Sequence, residues 1–161
     1  MRTIAIAVVL LTVTAGASSA KPRNIFVSDD LGISMEVPFS RSDSPENQQI
    51  AVFCLPMKDG FAANVNLQKQ AYSDSLAAFD KLSVSQFKQF KVTILKRDLK
   101  ANEVRYEYSG DMQGRTMHWY ARAVKTGDTV FLITATGLDN QWQKQKQALM
   151  ASVDSFKLLG N

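Results

Sequence analysis

Two stretches of this chain, 102–109 and 115–125, repeat with period two, and only an extended strand turns such a pattern into a one-sided apolar surface. Val104, Tyr106 and Tyr108 alternate with Glu103, Arg105 and Glu107. Met117, Trp119, Ala121 and Ala123 alternate with Thr116, His118, Tyr120 and Arg122. At the helical 100° per residue these apolar positions would scatter around the axis. The two stretches are therefore expected to pair as antiparallel strands with one face in the core. A four-residue loop, 111–114, would set Tyr108 beside Met117 and Tyr106 beside Trp119. The same register sets Glu107 opposite His118 and Glu103 opposite Arg122, two attractive cross-strand pairs.

Other segments read in the same way. Residues 24–38 form a hairpin, with Ile25 and Val27 on one strand and Ile33, Met35 and Val37 on the other. Asp29-Asp30-Leu31-Gly32 makes its turn. Further strands are expected over 49–55 and 61–72. In the second of these, Phe61, Ala63, Val65 and Leu67 face one way and Asn64, Asn66 and Gln68 the other. A strand over 91–99 has the least regular pattern. One over 129–136 contains Val130-Phe131-Leu132-Ile133, apolar on both faces and so central to the sheet. Residues 40–49 are the most loop-like. Two helices complete the chain. One follows the caps Ser73-Asp74-Ser75 and buries Leu76, Phe79, Phe87 and Phe90. The other is capped by Asp139 or Asn140 and buries Trp142, Leu149, Val153 and Phe156. The fold class is α+β: a single antiparallel sheet of seven or eight strands flanked by two helices.

Residues 1–20 read as a secretory signal. Arg2 precedes an apolar run of about ten residues, and small residues lead up to Ala20, the expected cleavage point. Residues 21–161 then form one domain in the periplasm or outside the cell, with no transmembrane segment. The whole chain holds 19 basic and 15 acidic residues, a net charge of +4, and one of those charges leaves with the signal. The excess forms no basic stripe, which argues against nucleic acid as a partner. Cys54, the single cysteine, lies in the apolar run Ile50-Ala51-Val52-Phe53-Cys54-Leu55 and reads as a core thiol.

Gly32-Ile33-Ser34-Met35-Glu36-Val37-Pro38, Asn64-Val65-Asn66-Leu67, Val130-Phe131-Leu132-Ile133-Thr134-Ala135-Thr136 and Ser152-Val153-Asp154-Ser155-Phe156 occur in this order. The set resembles the PsbP-like superfamily, which includes the oxygen-evolving-complex subunit of photosystem II and small secreted bacterial relatives. The resemblance spans nearly the whole mature chain. It implies a PsbP-like α/β/α sandwich and accessory or partner-binding work rather than catalysis. The photosystem members bind through long N-terminal extensions. Only a few residues separate Ala20 from Asn24, so that role does not carry over.

The chemistry-bearing residues are few. His118 is the only histidine, so a catalytic triad would have to use it. No set of Cys and His is dense enough for a transition metal, and no glycine-rich phosphate loop occurs. No catalytic residue, metal site or cofactor is expected. His118 reads as an exposed histidine paired with Glu107. Asn64 and Asn66 form a row of amides with Gln68 and Gln70, exposed or facing a helix, and on the functional reading they are partner-binding residues, a recognition surface of amide donors and acceptors. Tyr120, Arg122 and His118 would form a partner-binding patch, because Tyr and Arg favour interfaces. The expected function is a non-enzymatic accessory module, an adaptor or chaperone for another envelope protein. The alternative is a carrier of a small apolar or amphipathic ligand in a cavity lined by Phe79, Phe87 and Trp142. A hydrolase using His118 is the third reading.

Overall fold

The computed structural model describes residues 24–37, 40–42 and 49–159. The signal 1–20 and its cleavage point lie outside these residues. Ten strands and two helices follow in the order β1 (Asn24–Ser28), β2 (Ile33–Val37), β3 (Ser40–Ser42), β4 (Gln49–Cys54), β5 (Asn64–Ala71), α1 (Leu76–Gln89), β6 (Thr93–Leu99), β7 (Glu103–Met112), β8 (Arg115–Thr126), β9 (Thr129–Leu138), α2 (Asp139–Asp154) and β10 (Lys157–Leu158). No helix among the described residues is long and apolar enough to cross a membrane.

The strands form two antiparallel sheets, not the single one expected. Seven lie in the order β3-β4-β5-β9-β8-β7-β6, with the three-residue β3 at one edge and β6 at the other. Three lie in the order β1-β2-β10. The hairpin β1–β2 fits its pattern, but alternation along a strand says nothing about which sheet the strand joins. Ile33, Met35 and Val37 bury against the larger sheet and α2 instead of extending the sheet edge. The chain beyond α2 then pairs Lys157 and Leu158 with β2. Part of the loop expected at 40–49 is strand, β3 pairing with β4.

The β7–β8 register also differs from expectation. Tyr108 pairs with Trp119, Tyr106 with Ala121, Ser109 with His118 and Glu107 with Tyr120. The turn has two residues, Gln113 and Gly114, both at positive φ (51° and 76°), as a type I′ hairpin turn requires. Alternation fixes which face a side chain takes, but it is blind to a slide that preserves parity. The tighter turn makes that slide. Glu107–His118 and Glu103–Arg122 consequently meet on diagonals, at 3.0 Å and 2.8 Å.

Strand β9 is central to the larger sheet, and Val130 to Leu138 are buried throughout. Each face has its own cover. α1 packs on the face showing Tyr106, Tyr108 and Trp119, where Phe87 contacts both tyrosines. α2 and the β1–β2 hairpin cover the other face, where Phe26 meets Phe53 and Phe156 meets Phe131. Ser75 caps α1 by accepting from the Ala78 N–H. Phe90 lies outside the core stripe: α1 ends at Gln89, Lys91 turns the chain at φ 55°, and Phe90 is 67% exposed. The irregularity expected in 91–99 is a bulge between Ile94 and Lys96.

Candidate functional site

His118, Tyr120 and Arg122 sit two residues apart on β8 and share the face under α2. They do not form an exposed patch; they fasten α2 to the sheet. His118 is only 6% exposed, not exposed as its alternation suggests. Its Nε2 lies 3.0 Å from Glu107 Oε1 and its Nδ1 lies 2.9 Å from Asp139 Oδ1. Each ring nitrogen thus has a carboxylate within hydrogen-bond distance. The ring of Trp142 stacks on it, centroids 4.3 Å apart. Gly137, the β9 partner of His118, makes room for that stack, since an added Cβ would meet the Trp142 ring at 3.2 Å. Asp139 therefore engages His118, and α2 has no side-chain cap at its N-terminus.

The other end of α2 is held from the same strand. The Tyr120 hydroxyl donates to Asp154 at 2.9 Å. Arg122 donates to the backbone oxygens of Asp154 and Phe156 and to Glu103. A cation at a helix C-terminus is favoured by the exposed carbonyls there. Burial works against the charge of Glu103. Arg122, Arg105 and Lys100 together outweigh it and hold that carboxyl below its ordinary range. Burial and the bond to Asp154 push Tyr120 up to about 12.

Asn64 and Asn66 lie on the opposite face, toward α1. Both are buried, as are Gln68 and Gln70. Asn64 donates to the Ala62 carbonyl, and Gln70 donates to Gln68. Asn64 Oδ1, both side-chain polar atoms of Asn66, Thr136 Oγ1 and Trp119 Nε1 are buried with no hydrogen-bond partner. These groups are neighbours. Asn64 pairs with Thr136, Thr136 with Trp119, and Asn66 with Thr134. An orphaned buried polar group costs about 1–3 kcal/mol.

Cys54 is half-buried rather than fully in the core, and burial pushes its thiol pKa up. It pairs with Asn64, so it lies on the sheet face opposite His118 and is no nucleophile for it. Phe79 and Phe87 belong to the α1 side and Trp142 to the α2 side, so the three do not line one cavity. No cluster of three or more potential metal ligands occurs among the described residues.

Two further features escaped the sequence. Asp80, on the buried side of α1, accepts from Arg97 through both guanidinium arms (Nε at 2.7 Å) and from the Tyr106 hydroxyl at 3.0 Å. Its signal was a lone carboxylate inside the Leu76–Phe79–Phe87 stripe. The second is the outer edge of β6, which no described strand pairs. Leu95 and Leu99 stand exposed there, close in the chain to Phe90, with Lys88, Lys91, Lys96 and Lys100 around them.

No family model matches the sequence, and no curated protein matches it. Solved structures do. The cyanobacterial PsbP of Synechocystis superposes with a TM-score of 0.63 at 13% identity, covering 91% of this chain and 98% of its own. A Pseudomonas aeruginosa protein of unknown function gives 0.53 at 18% identity, over 78% of this chain and 89% of its own. A Bacteroides thetaiotaomicron protein gives 0.52 at 14% identity, over 85% of this chain and 48% of its own. Identities this low speak to architecture alone: the chain has a PsbP-like fold, α+β with two helices and mostly antiparallel strands, in two sheets instead of the single sheet expected.

Proposed function

We propose that this chain is a non-enzymatic accessory module of the cell envelope, exported and cleaved after Ala20, which docks another protein at the free edge of β6. The observation that carries this is the edge itself. The seven residues of β6 end the larger sheet, and no described strand pairs with their outer backbone groups, a template for an added strand. Leu95 is 52% exposed beside the edge. Proteins commonly protect such edges with lysines and bulges, and β6 has both. Exposed Phe90, Leu95 and Leu99 go beyond protection, because solvated apolar groups there gain only from being covered. The lysines select an extended partner segment with acidic residues. His118 serves the fold in this reading, since both its nitrogens are engaged by carboxylates and Trp142 covers its ring.

A photo-crosslinking residue at Leu95, in cells making the protein, tests this. It should give one dominant protein adduct, and the same residue at Lys144 on the outer face of α2 should give none. Lys91→Glu with Lys96→Glu should abolish the adduct while leaving the thermal midpoint nearly unchanged. Equal crosslinking at both positions, or an adduct indifferent to the charge reversals, would refute the docking edge.

A further inference from the structure

The smaller sheet ends in β1, and no described strand pairs with the outer side of β1. We infer that two copies of this chain associate there, pairing their β1 strands antiparallel about a twofold axis at Phe26. The backbone decides which groups are on offer. The Glu36 N–H donates to Ser155 Oγ, and the Gly32 carbonyl accepts from Leu159, so the even-numbered residues of β2 turn their backbone groups toward the C-terminal segment. Directions alternate along an antiparallel ladder. Ile33, Met35 and Val37 therefore bond to β1 at Ser28, Phe26 and Asn24, and the backbone groups of Ile25 and Val27 point outward. An open groove of about 400 Å³ lies along Phe26 to Asp30, lined also by Ile50, so this side of β1 is not walled off. The side chains decide the occupant. Ile25 is 64% exposed and Val27 50%. β6 guards its edge with lysines and a bulge, whereas β1 contains no charged residue and pairs with β2 without a bulge. About a twofold axis at Phe26, Ile25 of each copy lies opposite Val27 of the other, so two apolar cross-strand pairs cover all four exposed side chains. The charges agree with this direction. Lys21 and Arg23 precede the strand in the sequence, and Asp29 and Asp30 follow it. Antiparallel pairing brings the basic end of each copy to the acidic end of the other, and parallel pairing would set like charges together. Such an isologous contact uses both β1 edges, so the assembly closes at two copies.

This contact stands independently of docking at β6. It is also small. Two five-residue strands and their flanks cover less than about 1,200 Å², the range of weak interfaces, so we expect a dissociation constant of about 100 µM. Sedimentation velocity of the mature protein from about 5 to 500 µM should show monomer giving way to dimer. Ile25→Glu and Val27→Lys should each weaken the dimer about tenfold, because a charge then faces an apolar side chain. Both sites are exposed, so the thermal midpoints should stay near that of the unaltered protein. Mixed in equal amounts, the two variants should recover association. In the mixed dimer the new carboxylate lies opposite the new ammonium, and the remaining Ile25 and Val27 still pair. A misfolded variant could not produce that recovery. Lys91→Glu with Lys96→Glu should leave the dimer intact, which separates this contact from the β6 edge. A monomer throughout the concentration range, a dimer indifferent to both β1 variants, or two weakened variants that do not recover on mixing would overturn the twofold pairing.

Discussion

Replacing Arg97 with Met isolates what holds α1 to the edge of the larger sheet. Asp80 is buried, with its side chain 3% exposed, and ionised it relies on Arg97 and the Tyr106 hydroxyl. Breaking a fully buried ion pair by removing one partner costs about 3–5 kcal/mol, because a charge is left without compensation. Arg97 is not fully buried. Its side chain is 44% exposed, so water reaches the pair and screens part of the interaction. We therefore expect a loss of about 2 kcal/mol, with Tyr106 left to hold the carboxylate. For about 140 residues that is a drop of roughly 7 °C in the thermal midpoint. Urea unfolding at pH 7 should show the same loss as a lower midpoint with an unchanged slope. The companion Asp80→Asn keeps an acceptor for Tyr106 and leaves Arg97 in solvent, so it should cost about 1 kcal/mol. Together the two variants should cost about 1.5 kcal/mol rather than 3, because neither leaves a buried charge. A loss below about 0.5 kcal/mol for Arg97→Met, or strict additivity in the double variant, would refute the view that the arginine neutralises a buried carboxylate.

Gly137→Ala places a methyl group 3.2 Å from the Trp142 ring, so the ring must shift by a few tenths of an ångström in its stack on His118. About 1–3 kcal/mol should be lost, with a change in near-ultraviolet circular dichroism and none in the far ultraviolet. The Glu103 carboxyl is held below its ordinary value near 4.5, so the stability it adds is present above that pH and disappears as the pH falls through its lowered value. Glu103→Gln should thus be clearly destabilising in urea at pH 7 and close to wild type at pH 2. The three buried tyrosines behave oppositely. Burial raises Tyr106 and Tyr108 above the ordinary 10 and Tyr120 to about 12, so the neutral form favours the fold, and stability falls as pH rises above 10. Absorbance titration at pH 11 should find these three still protonated, and their ionisation should coincide with unfolding. Early ionisation of all four tyrosines with the fold intact would contradict the packing described here.

Local elements were legible wherever one physical rule governed them. Period-two alternation marked β7 and β8, the continuous apolar run 130–133 marked β9 as central, and Ser75 marked the start of α1. The rest turned on relations between elements. A strand pattern gives parity, so it assigned Glu107 and His118 to one face correctly and still missed the register, which Gln113-Gly114 sets through positive φ. It gives no sheet membership, so β2 could be read as a strand without revealing that it pairs with β10.

The candidate residues show why polar positions are harder to read than apolar ones. An alternating polar residue is normally solvated, and that prior suited an exposed His118 and an exposed partner patch at Tyr120 and Arg122. Here both faces of the larger sheet are covered, so polarity along β5 and β8 cannot signal solvent. On β8 the polar residues find protein partners in α2: carboxylates for His118, Asp154 for Tyr120, and helix-end carbonyls for Arg122. Their polarity is spent on positioning a helix. On β5 the same alternation gives Asn64 and Asn66, and the α1 side offers them almost nothing. On a sheet covered on both faces, a polar residue in an alternating strand therefore marks where a hydrogen-bond partner is needed, and not where solvent lies.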